Sequence, residues 1–171
     1  MADLKSGVNP LFLREEDLRQ GMELLFCGWR DFAGEPDQLL NSRQLGRAHH
    51  RAVYFIGRHP GITVGELLAI LKITKQSLGR VLNQLVADGL VMQIPGARDR
   101  RQRCLKLTAT GETLERELTE TQRQRLARAY RTAGAQAVEG FRQVLLGLVD
   151  ERDRARLANT AAPAPNKPQH R

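Results

Sequence analysis

The segment Thr74-Lys75-Gln76-Ser77-Leu78-Gly79-Arg80 holds the side chains whose types and spacing could do chemistry. The Gln76 carboxamide offers a donor and an acceptor side by side, which matches the edge of an adenine; Lys75 and Arg80 can donate to guanine or to phosphate. Thr74 and Ser77 add hydroxyls, and Thr74 is also a natural helix N-cap. Gly79 costs ~1 kcal/mol against alanine inside a helix. Close approach of its backbone to a nucleic acid would explain it, and so would a tight helix contact. A second group follows closely: Arg98, Asp99, Arg100, Arg101 and Arg103. A loop with four guanidinium groups suits a narrow, electronegative minor groove; the competing reading is a solvated charged loop.

Net charge supports the first reading through its placement. The 171 residues carry a net charge of +8. Residues 45–108 hold eleven Lys/Arg and three acidic residues, so this one stretch accounts for the whole excess. A localised basic field on an otherwise neutral chain is the footprint of a module that binds a polyanion.

The elements that must position these residues are legible in the apolar pattern. Leu18, Met22, Leu25, Trp29 and Phe32 recur at spacings of 4, 3, 4 and 3, which predicts a helix from about Leu11 to Phe32 with a seam of heptad type. A second helix is expected from about Ser42 to Arg58. Thr63-Val64-Gly65-Glu66 has the form of a capping box and opens a short third helix to Leu71, burying Leu67, Leu68 and Leu71. The turn Lys72-Ile73-Thr74 leads to the fourth helix, where Leu78, Val81, Leu82, Leu85 and Val86 form one stripe and Lys75, Gln76, Gly79, Arg80, Asn83 and Gln84 lie opposite. Gly89 is placed to end it. Two strands, Leu90–Ile94 and Cys104–Thr108, flank the basic loop as a hairpin. A long helix from Thr108–Gly111 is interrupted at Gly134, and a last helix is expected over Ala135–Ala158.

Helix, tight turn, helix and basic hairpin together resemble the MarR family of bacterial transcription regulators. The resemblance rests on Pro60-Gly61-Ile62-Thr63, Glu66-Leu67, Leu85, Asp88-Gly89-Leu90-Val91, Asp99-Arg100-Arg101, Leu105-Lys106-Leu107-Thr108 and Gly111. It covers about Leu45 to Leu114 closely and the flanking helices in outline. It implies a mostly α fold with a minor β component: a winged helix-turn-helix between N- and C-terminal dimerisation helices. It also implies a homodimer on a pseudo-palindromic DNA site, most often as a repressor, with Arg101 in the minor groove and Asp99 orienting it. The expected layout is an arm over 1–10, a dimerisation helix and linker over 11–44, the DNA-binding domain over 45–110, dimerisation helices over 111–158 and a compositionally disordered tail over 159–171. The seam of the first helix and the stripe of the last are apolar surfaces that the small winged module cannot cover alone.

Relatives in this family respond to small molecules in a pocket between the dimer helices and the DNA-binding lobe. By position, Trp29, His50 and Tyr54 would line it; the competing reading makes Trp29 dimer core and the other two packing or surface residues. Cys27 lies in the first helix, where some relatives sense oxidants, but its neighbours Leu24, Leu25 and Phe26 argue against an accessible thiolate. His49 falls beside the apolar face set by Leu45, Ala52 and Val53, so a hydrogen-bonded core histidine is expected there. Adjacent histidines point about 100° apart on a helix, so no metal site and no cofactor are expected.

Other classes are disfavoured. No Ser/His/Asp grouping, phosphate-cradling glycine loop or paired-carboxylate setting in the core is found, so the chain does not read as an enzyme. No apolar run approaches the roughly 20 residues that span a bilayer, and the polar start argues against a signal peptide and for the cytoplasm. A nonspecific architectural DNA binder would explain the charge but not the single polar face of the Lys75–Gln84 helix.

Overall fold

The structure, a computed structural model, describes residues 13–96 and 102–159. They form eight helices and three strands in the order α1 (Glu15–Gly34), α2 (Asp37–Ser42), α3 (Arg47–Arg58), β1 (Ile62–Thr63), α4 (Val64–Leu71), α5 (Lys75–Ala87), β2 (Val91–Pro95), β3 (Arg103–Leu107), α6 (Ala109–Ala133), α7 (Ala135–Leu148) and α8 (Glu151–Asn159). The mostly α winged helix-turn-helix is therefore the observed fold. The chain divides into two compact units, one ending at Arg125 and one beginning at Leu126.

The first unit carries the core. Leu40, Val53, Ile56, Leu67, Leu78, Leu85, Leu105, Leu114 and Leu118 are buried together, drawing on α2, α3, α4, α5, β3 and α6. Glu15, Glu16 and Asp17 open α1 with negative charge, which complements the helix dipole. Yet no residue of α1 is buried, and none of α7 in the second unit is either.

Two split helices and one added strand depart from the sequence expectation. The expected second helix splits: α2 ends at Ser42, Gln44 takes a left-handed φ of 55°, and α3 starts only at Arg47. The split lets Leu40 and Leu45, on either side of the break, both enter the core. The expected last helix also splits, because Val149 is extended between α7 and α8. A third strand, β1, joins the hairpin to give the antiparallel order β1-β3-β2. With two residues it is too short to show any alternation.

The helix-turn-helix forms by capping. Thr63 Oγ1 accepts the Glu66 N–H at 3.2 Å, and Glu66 Oε2 accepts the Thr63 N–H at 2.8 Å. The Thr63 N–H and the Thr63 hydroxyl both donate to Glu66 Oε2 and hold that carboxyl below its usual range. Lys72 closes α4 in the left-handed region with φ 49°, its N–H donating to the Leu68 carbonyl. Gly89, at φ 67°, ends α5 as expected.

Candidate nucleic-acid interface

Helix α5 presents the polar row. Thr74, in extended conformation, accepts the Ser77 N–H on Oγ1 at 3.1 Å and donates its own hydroxyl to Ser77 Oγ at 2.9 Å. These two hydroxyls therefore build the helix start. Leu78, Val81, Leu82 and Leu85 are buried and fix the roll of the helix. Val86, expected in the same stripe, is 38% exposed. The fixed roll leaves Lys75, Gln76, Arg80 and Asn83 exposed. Lys75 and Arg80 form no ion pair among the described residues, unlike Arg43, Arg47, Arg123 and Arg125, which all pair with carboxylates. Their charge is available to an outside anion.

Gly79 now has a narrower explanation. A Cβ built on it would meet nothing within 4 Å, so no helix contact among the described residues requires glycine there. Gln84 departs from the expected row. It is half-buried, and its amide donates to the Gln44 carbonyl at 3.3 Å, tying α5 to the body of the unit. No local pattern signals this contact, since Gln44 lies 40 residues away.

The hairpin stands beside α5 with Val91 opposite Leu107 and Pro95 opposite Arg103. The Gly96 N–H donates to the Gln102 carbonyl at 2.9 Å and closes the base of the loop. Arg98, Asp99, Arg100 and Arg101 lie outside the described residues. Arg103 is exposed on β3, and its Nη1 donates to Gln93 Oε1 at 3.0 Å across the hairpin.

The remaining candidates are placed as follows. Trp29 is 59% exposed and tilted against Phe32, while Tyr54 is half-buried and packs edge-on to Phe55. His50, not His49, is the core histidine of α3, at 7% exposure. His49 is half-buried instead, and its Nδ1 accepts the Gly46 N–H at 3.1 Å at the helix start. Helical rotation places position 50, with Val53, on the inward face. Burial holds the His50 imidazole below its usual pKa; the Arg51 charge acts the same way and Asp37 opposes it. A cavity of about 220 Å³, lined by Ile56, Gly57, Pro60, Lys106, Leu107 and the first turns of α6, includes none of the three pocket candidates. Cys27 is exposed, contrary to the expectation from its apolar neighbours, because Leu24, Leu25 and Phe26 are exposed with it. Among the described residues no group of His, Cys, Asp and Glu is arranged to hold a metal. No described helix is long and apolar enough to cross a membrane.

Comparison with known proteins agrees with this geometry. The model of the MarR family matches residues 43–102, from the α2–α3 corner through the loop of the hairpin. The HTH-type transcriptional regulator PetP of Rhodobacter capsulatus is 54% identical over 144 residues, covering 84% of this chain and 87% of PetP. Streptococcus pneumoniae FabT, solved in complex with DNA, superposes with a TM-score of 0.64 at 20% identity, over 77% of this chain and 93% of that one. A mutant E. coli MarR complexed with operator DNA gives 0.60 at 23% identity, over 82% and 99%. The two structures show the fold. The family match and the extent of identity to PetP place the chain in the MarR family of HTH-type transcription regulators, and not among enzymes.

Proposed function

We propose that this chain is a sequence-specific DNA-binding regulator that grips a pseudo-palindromic operator as a homodimer in the cytoplasm and represses by excluding polymerase. The observation that carries the reading is the first two turns of α5. Buried leucines and valines fix its roll, a Thr74–Ser77 cap fixes its start, and Lys75, Gln76 and Arg80 stand exposed on the outer side. Gly79 adds open space where a Cβ would otherwise stand, which suits a backbone approaching base edges closely. Arg98, Arg100, Arg101 and Arg103 act in the minor groove alongside, with Asp99 orienting Arg101. FabT and MarR have each been solved with DNA, and this chain shares their fold.

Dimerisation is supported by two apolar faces that the chain leaves uncovered. In the first unit α1 exposes Leu18, Met22, Leu25 and Trp29; in the second α7 exposes Phe141, Val144 and Leu148. Burying such surface in a partner contributes about 25 cal/mol per Å². Selection from a random duplex pool at ~150 mM salt, near physiological ionic strength, tests the reading. Enrichment of a pseudo-palindrome with half-sites about one helical turn apart is expected. Retention of DNA without any enriched motif would instead make the chain an architectural binder.

A further inference from the structure

Residues Phe32 to Gln44 connect α1 to α3 through α2, and α6 holds this stretch at three points. Gln122 Nε2 donates to the Phe32 carbonyl at 3.0 Å. The Arg125 guanidinium pairs with the Glu35 carboxylate. Arg43 Nη2 donates to Glu117 Oε2 at 2.9 Å. Between these points the stretch is stiffened. Pro36 and Leu40 are buried, and Asp37 takes the Arg47 guanidinium on both carboxylate oxygens, at 2.9 and 2.5 Å. A two-toothed pair of this kind fixes geometry as well as distance.

The far end of the stretch is Gln44. Its left-handed φ of 55° turns the chain there, and its N–H donates to the Asn41 carbonyl. Its own carbonyl accepts the Gln84 amide of α5. Arg43 and Gln44 are neighbours, so α6 grips one side of this corner and the reading helix grips the other. Core packing sets how deep α5 sits. A side-chain hydrogen bond near its C-terminal end limits pivoting about the packed leucines, and a pivot would move Lys75 and Gln76 at the other end.

We infer that residues 32–44 act as a strap that carries the position of α6 to the reading helix, with Gln84 and Arg43 as positioning residues for sequence discrimination. The inference rests on the proposed role of α5 in reading DNA. Neither residue touches DNA in it: both act through Gln44.

The test uses the full-length chain and compares its selected operator with a scrambled duplex at fixed salt. Gln84→Met keeps the length and loses the donor. It is expected to lower the operator-to-scrambled affinity ratio about threefold to tenfold, the range of one net hydrogen bond, with scrambled affinity and salt slope unchanged. Arg43→Glu is expected to lower the ratio about twofold to fivefold, the range of an exposed ion pair. The swap Arg43→Glu with Glu117→Arg is expected to restore it. Amide hydrogen exchange of α5 in the DNA-free protein gives an independent readout: faster in either single variant, and restored in the swap. An operator-to-scrambled ratio unchanged in Gln84→Met, or a swap that fails to restore both readouts, would overturn the inference. If the wild-type chain shows no operator preference, the reading role of α5 fails, while the exchange readout still decides the strap.

Discussion

The α-carbon of Gly111 sits against the Leu90 carbonyl so closely that a Cβ there would fall 2.0 Å from the oxygen. Thr108 explains the closeness. Its hydroxyl donates to the Gly89 carbonyl at 2.6 Å and accepts the Gly111 N–H at 3.1 Å, while its own N–H donates to the Leu90 carbonyl at 3.1 Å. The end of α5, the start of β2 and the first turn of α6 are thereby tied at one point. Because the obstacle is backbone, Gly111→Ala cannot be relieved by a side-chain rotation. The expected cost is at least about 2–3 kcal/mol, the upper part of the overpacking range, read as a lower urea midpoint. An unchanged midpoint would mean that this junction is loose.

The reading helix begins on one threonine. Thr74→Ala removes the acceptor for the Ser77 N–H and should cost about 1 kcal/mol of stability. Thr74→Ser keeps the oxygen and should recover most of it. Urea titration of both variants checks the cap.

His50 makes stability depend on pH. Its folded pKa lies below its usual 6.5, first because of burial and then because of Arg51, with Asp37 opposing. The unfolded chain therefore takes up the proton first as pH falls. The stabilisation from neutral His50 is complete above pH 6.5 and is lost as pH drops through the lowered folded value. The Asp37 carboxyl, held low first by its hydrogen bonds to Arg47, titrates only below its usual 3.8, so the two windows are separate. Urea midpoints from about pH 7.5 to about 5.5, the range in which histidines change charge, should fall for the wild type. They should stay flatter for His50→Leu.

The apolar face of α7 gives a further expected outcome. Val144 is 64% exposed. A dimer that buries it should dissociate in Val144→Asp, which introduces an unpaired charge at the contact. Sedimentation should give twice the chain mass for the wild type and the chain mass for the variant. A monomeric wild type would remove the dimer from the account.

Much of the fold was legible because its signals are local. The Leu78–Leu85 stripe gave α5 its inner face, Thr63 and Glu66 gave α4 its start, and Gly89 and Gly134 gave two ends. What was hidden depended on contacts distant in sequence. The break at Gln44 follows from Leu40 and Leu45 both seeking the core, and β1 exists only because Leu105 lies opposite Ile62. His50 rather than His49 faces inward because Leu45, which helps set the expected apolar face, lies before α3 and outside its helical phase. At the site, exposure of Lys75, Gln76 and Arg80 followed from the stripe. The inward turn of Gln84 did not, since its partner is a backbone carbonyl on the far side of a corner.

Repeating the random-pool selection with Gln76→Ala tests directly whether α5 reads base edges. If the first turn of α5 reads base edges, the variant should still recover the wild-type pseudo-palindrome, with preference relaxed at one symmetry-related pair of positions by ~1–3 kcal/mol each. A motif unchanged at every position, or affinity lost equally across all sequences, would contradict that claim and leave α5 as a phosphate-contacting helix.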